Sequence, residues 1–263
     1  MKKLIFVAIF ISISVLFSCA PKPVVKKTPA TGETPGMLYS EALQNYRAAN
    51  FEDAVRLFNE FLFRYPDHPE APEALMRIGE IQKSFGHFGE ARKAYEKVLS
   101  QYYRSSHVRR ARVEILDTFL QEKNYQEIIS RSGEILRQPW TYPARAFLII
   151  AEAYLNTGQP ESATKLYTLA YSMAPESQRD FILQSLNESV RRIPTGDLAV
   201  LVEKIPERFP KGYFIYQLGL KYVEEEKYDR ALAVLENFLQ KYPFHRLSEE
   251  VVQWIGILEE KSR

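Results

Sequence analysis

The 263-residue chain has one cysteine, Cys19. A single thiol excludes an internal disulfide and any multi-thiolate metal site. Glycine is scarce, at 11 residues, while Tyr and Phe number 16 each. That balance disfavours a loop-rich or strand-rich fold and favours a well-filled helical core. An excess of one charge is missing as well: Lys and Arg total 35 against 33 Asp and Glu. Lys2 and Lys3 fall in a segment expected to be removed, and 35 minus those 2 leaves 33 against 33. A balanced protein has no basic footprint for phosphates, so nucleic acid is not an expected partner. The chemistry-bearing motifs are absent too: there is no GxGxxG, GxxxxGKS/T, GxSxG or HExxH. His68, His87, His107 and His245 are the only histidines, and they fall at helix-pair turns or repeat ends. They read as surface or turn residues, and no catalytic residue, metal site or cofactor is expected.

What is present begins with a targeting signal. Lys2 and Lys3 precede the apolar stretch Leu4 to Phe17, broken only by Ser12 and Ser14. Its 14 residues fall short of the roughly 20 that a membrane-spanning helix needs and match the core of a signal peptide. Leu16-Phe17-Ser18-Cys19 resembles a bacterial lipobox, with Phe17 in place of the usual small residue. An uncleaved anchor and an ordinary secretory signal are the alternatives. The resemblance implies cleavage of residues 1–18 and a covalent lipid on Cys19, at ~0.8 kcal/mol of membrane affinity per buried methylene. Ala20, where Asp would retain a lipoprotein at the inner membrane, implies the periplasmic face of the outer membrane. Residues 19–36 hold Pro21, Pro23, Pro29 and Pro35 with Lys22, Lys26 and Lys27, and read as a disordered tether.

From Met37 one pattern recurs. Glu41-Ala42-Leu43, Phe51-Glu52-Asp53-Ala54, Leu57-Phe58 and Tyr65-Pro66 match Ile78-Gly79-Glu80, Phe88-Gly89-Glu90-Ala91, Ala94-Tyr95 and Tyr102-Tyr103. They match again at Ile150-Ala151, Ser162-Ala163, Leu166-Tyr167 and Ala174-Pro175, and at Leu218-Gly219, Arg230-Ala231, Val234-Leu235 and Tyr242-Pro243. Weaker copies centre on Leu116 and Ile128, and on Leu186 and Leu198. The markers Ala54, Ala91, Ile128, Ala163, Leu198 and Ala231 are spaced 37, 37, 35, 35 and 33 residues apart. Small residues let paired helices approach, Asn50, Gly86, Asn124 and Gly158 suit the turn between them, and Pro66, Pro175, Pro210 and Pro243 stop the second helix. In the third and fifth copies Leu116 and Leu198 replace small residues, and Pro194 and Pro206 interrupt the fifth, so helices there are expected to be splayed or short.

This period resembles the tetratricopeptide family. The resemblance implies an all-α, right-handed superhelix of about six helix pairs (37–69, 70–106, 107–141, 142–175, 176–210 and 211–245) within a domain at 37–262. A capping helix with a polar outer face is expected at 246–262. In that family the first helix of each pair lines a concave, partner-binding groove. The register places Tyr39, Leu43, Tyr46 and Arg47 there, followed by Met76, Glu80 and Lys83, then Arg110, Val113 and Asp117. Arg145, Leu148, Glu152 and Asn156 follow, with Tyr213, Tyr216 and Leu220 last. Aromatic rings among charges suit an extended peptide or partner helix. Tyr39 and Leu43 stand where a carboxylate clamp would begin, so a C-terminal carboxylate is not the expected ligand.

Leu38-Tyr39, Asn50-Phe51, Phe58, Arg64-Tyr65-Pro66 and His68-Pro69 are similar to the opening repeat of BamD-like outer-membrane lipoproteins and the related Tol-Pal coordinator. Ile205-Pro206, Phe209-Pro210, Gln217-Leu218-Gly219, Tyr242-Pro243 and His245 resemble the tetratricopeptide module of penicillin-binding-protein activators. The first implies a non-catalytic scaffold that works with β-barrel assembly components. The second implies a module regulating peptidoglycan synthesis through a penicillin-binding protein.

Overall fold

Each segment rich in helix formers ends at a residue that turns the backbone, and the result is a series of antiparallel helix pairs. A computed structural model describes residues 34–205 and 211–261. The signal segment, Cys19, most of the tether, Pro206 and Pro210 lie outside the described residues. The described part is all-helical. Its pairs are α1 (Pro35–Arg47) with α2 (Phe51–Arg64), and α3 (Ala71–Ser84) with α4 (Phe88–Gln101). Next comes α5 (Val108–Gln121) with α6 (Tyr125–Arg131) and α7 (Gly133–Arg137), and then α8 (Ala144–Asn156) with α9 (Pro160–Met173). α10 (Glu176–Arg191) then packs on α9 and α11 (Thr195–Lys204) on α12 (Lys211–Glu224), with little contact between α10 and α11; α12 pairs with α13 (Tyr228–Lys241), and α14 (Ser248–Lys261) follows. The first helix begins at Pro35, capped by the Thr34 hydroxyl, so residues 35 and 36 belong to it and not to the tether.

The second helix of each regular pair buries a stripe at helical spacing. In α2 the stripe is Ala54, Leu57, Phe58 and Phe61, and in α4 it is Ala91, Ala94, Tyr95 and Val98. Sixteen positions after each small marker of the first helix stands a large buried side chain. Phe58 follows Ala42, Tyr95 follows Gly79, Tyr167 follows Ala151 and Leu235 follows Gly219. Gly79 shows why the marker is small: a Cβ there would lie 2.3 Å from the Tyr95 ring.

The turns within pairs share one backbone solution that the residue types hide. Ala49, Gly86, Lys123, Gly158 and Glu226 all adopt left-handed φ values, from 56° to 76°. Each is followed by an amide that reaches back five residues in the helix-ending loop, as Asn50 N–H does to Asn45 O at 2.9 Å and Asn124 N–H to Phe119 O at 2.8 Å. The turn residue is therefore Ala49 rather than Asn50, and Lys123 rather than Asn124; Asn124 instead caps α6 through Glu127 N–H. A non-glycine residue is strained in this region. Lys123→Gly is expected to raise stability by about 0.5–1 kcal/mol, read as a higher midpoint in urea.

The third and fifth pairs depart from the pattern. In the third, the second helix breaks at Ser132, whose hydroxyl donates to Ile129 O at 2.8 Å, and a short turn at Pro139–Thr141 closes it. In the fifth, α11 spans only 10 residues. Pro194 stands between the two helices as the N-cap of α11, and they are splayed as expected, α10 packing on α9 and α11 on α12. Among the described residues no helix is long and apolar enough to cross a membrane.

Candidate functional site

The first helices α3 and α5 carry charges at i, i+4 and i+7, and α8 at i and i+7, which places them on one face. On α3 these are Glu73, Arg77 and Glu80; on α5 they are Arg110, Glu114 and Asp117. Across an offset of 37 residues the signs oppose at Glu73 against Arg110 and at Arg77 against Glu114, whereas Glu80 and Asp117 are alike, and Arg110 takes up Glu80 while Lys83 takes up Asp117.

The Tyr46 hydroxyl of α1 donates to Glu80 Oε2 at 3.0 Å, and Arg77 donates to the same oxygen at 3.0 Å. The Arg77 guanidinium lies 5.1 Å from the Tyr46 ring centroid and also pairs with Glu73. Arg110 on α5 reaches back to Glu80, and His107 Nδ1 lies 3.1 Å from Glu73. Further along, Lys83 bonds Glu114 and Asp117, the latter at 2.8 Å. Arg145 on α8 closes this group with one nitrogen 2.7 Å from Glu114 and another 2.8 Å from Asp117. The Glu114 and Asp117 side chains are only 11% and 12% exposed, so their four ion pairs are substantially desolvated. Burial alone would lower the Lys83 ammonium, but the hydrogen bonds it donates to Asp117 and Glu114 and their negative charges outweigh it, and the pKa is raised. Arg145 is raised for the same reasons.

Of the residues the repeat register places in the groove, Tyr46, Glu80, Lys83, Arg110, Asp117 and Arg145 come together in this network. Arg47 is exposed at the end of α1. Tyr39 and Leu43 are half-buried; Tyr39 packs 5.2 Å from the Phe61 ring, and burial, with Glu73 second, pushes its phenol up to about 12. Met76 and Val113 are buried, at 0% and 3% exposure, and pack between helices instead of facing a partner. Tyr213 and Tyr216 correct the register in the same way. Both are 5% exposed, their hydroxyls bonded to Asn187 and Glu250. Leu148 and Leu220 are half-buried. Asn156 turns back on its own helix and donates to Glu152 O at 2.9 Å.

Glu152 differs from the other carboxylates of the groove. Burial, then the negative charge of Glu188 on α10, raises its pKa. Among the described residues no basic side chain pairs with it. Arg77, Lys83, Arg110 and Arg145 are thus balanced by Glu73, Glu80, Glu114 and Asp117, and Glu188 by Arg192, so that among the described residues Arg47 and Glu152 are the groove charges without an ion pair. Sequence reasoning missed Glu73, Arg77, His107 and Glu114; the opposed signs at the 37-residue offset were the available signal.

The histidines are structural. His68 and His245 occupy equivalent turns, each Nδ1 accepting from a backbone amide two residues on, and each ring stands edge-on 5.3 Å from Phe61 or Phe238. His87 Nδ1 lies 3.0 Å from Gln82 Oε1 in its turn. Among the described residues no group of three or more His, Cys, Asp or Glu could hold a metal ion.

Comparison with protein families matches tetratricopeptide-repeat models to residues 39–84, to 72–102 and 144–177, and to 213–245. The unmatched stretches include the third and fifth pairs, where Leu116 and Leu198 replace small residues. The comparison with curated proteins found no match. The chain is similar to a solved tetratricopeptide-repeat protein of Parabacteroides merdae, at 12% identity over 86% of this chain and 98% of that one, TM-score 0.46. It is similar to MamA of Desulfovibrio magneticus RS-1, at 17% identity over 80% and 96%, TM-score 0.43. It is also similar to PilF of Pseudomonas aeruginosa, at 15% identity over 82% and 95%, TM-score 0.43.

Proposed function

We propose that this protein, a stack of tetratricopeptide repeats, is a non-catalytic protein-binding scaffold of the bacterial cell envelope. A lipid on Cys19 holds it to the periplasmic face of the outer membrane, and its role is similar to that of BamD-like lipoproteins in outer-membrane protein assembly. One observation supports the binding half of this reading. The first helices form a charge-balanced face on which, among the described residues, Arg47 on α1 and Glu152 on α8 are left without an ion pair. Such a face favours an extended segment or helix that carries a carboxylate to meet Arg47 and a cation to meet Glu152. The envelope half rests on the residues around Cys19 and on Ala20.

The test is a crosslinking pull-down from native membranes with the full lipidated protein, alongside Cys19→Ser and the groove variant Arg47→Glu/Glu152→Lys. Neither groove side chain makes an ion pair among the described residues, so the variant is expected to stay folded. Recovery of β-barrel assembly components that both variants lose supports the proposal. Recovery of a penicillin-binding protein instead assigns the protein to regulation of peptidoglycan synthesis, as the resemblance of Gln217-Leu218-Gly219 through His245 implies. Capture that the groove variant leaves unchanged removes the groove as the binding surface.

A further inference from the structure

The loops between pairs, with the helix ends around them, form one flank of the stack, and the turns within pairs form the other. Among the described residues six large apolar or aromatic side chains are more than 60% exposed: Met37, Phe63, Tyr103, Trp140, Phe181 and Phe244. All six stand on the first flank. Met37 lies in the first turn of α1 and Phe63 in the last turn of α2. Tyr103, Trp140 and Phe244 lie in the loops after α4, α7 and α13, and Phe181 is in the second turn of α10. An ion pair of Asp180 with Arg246, at 3.6 Å, sets that turn beside the loop between α13 and α14. Of such side chains among the described residues, the opposite flank exposes only Phe85, whose ring packs edge-on 5.7 Å from Phe51. Single exposed rings need no explanation, but their concentration on one flank marks a contact surface.

Three of the loops are held side by side. The Tyr102 hydroxyl donates to Pro66 O at 2.7 Å, joining the second loop to the first. Arg112 donates to the Tyr142 hydroxyl at 3.3 Å, joining the third loop to α5. Phe63, Tyr103 and Trp140 therefore follow one another, one to a loop. The charge around the last two has one sign: no Asp or Glu occurs from Lys97 to Val113 or from Ile135 to Ala151. Arg104 lies over the Tyr103 ring at 5.3 Å. Arg104 and Arg109 are exposed, and neither makes an ion pair among the described residues.

Rings set one to a loop do not make the contiguous packed centre of a protein interface. Tyr and Trp beside arginine suit a bilayer interface, where the ring enters the headgroup layer and the guanidinium meets phosphate. The segment bearing Cys19 joins α1 on this same flank and adds Lys22, Lys26 and Lys27. The flank runs along the stack, so further repeats at either end would leave it open.

We propose that the flank carrying Phe63, Tyr103, Arg104, Arg109 and Trp140 lies on an anionic phospholipid surface, so that the stack rests on the bilayer along its side. The proposal rests on the anchor reading only in that the lipid on Cys19 brings the stack to a bilayer.

The test uses the lipidated protein in vesicles containing phosphatidylglycerol, with flotation as the report on anchoring and tryptophan fluorescence as the report on the flank. Trp140 is read as the difference between parent and Trp140→Phe, since the other tryptophan, Trp254 on α14, is common to both. Phospholipid spin-labelled at its headgroup is expected to quench Trp140 roughly two-fold. The quenching should fall in pure phosphatidylcholine vesicles and at high salt. Arg104→Glu/Arg109→Glu should float as the parent does and lose most of the quenching. Both side chains are exposed, so its circular dichroism should match the parent's. A parent that does not float has neither anchor nor flank contact and overturns both readings. Flotation with Trp140 unquenched, or quenching that the double variant leaves unchanged, overturns the flank alone. So does a benzoylphenylalanine at position 140 that crosslinks to a protein in native membranes while Trp140 stays unquenched in vesicles, because the flank would then be a protein surface.

Discussion

Gly79→Leu is expected to lower the stability of the N-terminal half of the stack by about 3–5 kcal/mol, close to the loss of a buried aromatic side chain. A Cβ on residue 79 would lie 2.3 Å from Tyr95 Cε1 and 2.6 Å from Cζ. The Tyr95 ring is fully buried, so it cannot move aside without leaving the core. Alanine gives the smaller clash, costing about 1–3 kcal/mol, offset in part by a helix-propensity gain of up to about 1 kcal/mol. The measurement is urea unfolding followed by circular dichroism, with amide exchange to locate the loss, because stacked repeats can unfold piecemeal. A Gly79→Leu variant as stable as the parent would show that the close approach of α3 and α4 is not what requires glycine.

Lys83→Glu is expected to cost a similar amount, about 3–5 kcal/mol. The substitution leaves three carboxylates around Arg145, two of them on side chains only 11% and 12% exposed. Lys83→Met is the milder control. It removes the cation but keeps the side-chain length, and Arg145 still bonds Glu114 and Asp117 at 2.7 and 2.8 Å. The pH dependence separates the charge from the packing. Because the folded-state pKa of Lys83 is raised, its contribution is fully present below the unfolded value of about 10.4 and is lost as pH rises through the folded value. Buried phenols add to alkaline loss in the same sense, among them Tyr95 and Tyr167, both raised by burial. The difference between parent and Lys83→Met is therefore the quantity to follow: it should be constant near neutrality and shrink above about pH 10. A difference that does not change with pH would mean that the Lys83 stem, not its charge, holds α3 to α5.

The helical repeat was legible in the sequence because it rests on residue size at fixed spacing. The markers Ala42, Gly79, Ala151 and Gly219 and their large partners sixteen positions later state which helices approach, and the structure places them in contact. The turns were less legible. Ala49, Lys123 and Glu226 adopt the left-handed conformation without being glycine or asparagine, because the helix-ending hydrogen bonds and the packing of both helices hold the backbone there. Register alone also misjudged exposure. Met76, Tyr213 and Tyr216 lie on first helices, yet each turns into the space between neighbours. Their periodicity is the same whether the adjoining helix stands closer or farther, so sequence spacing could not separate groove from interior.

By itself, then, the sequence determined the all-helical class, the period near 35 residues and the absence of the motifs that chemistry would need, since these depend on local size, hydrophobicity and turn residues. Tertiary structure alone decided two things: the charges of the first helices meet in a network joining α1, α3, α5 and α8, and Glu152 is left without an ion pair among the described residues. Those properties belong to distances between helices about thirty or more residues apart in sequence, and no local preference encodes them.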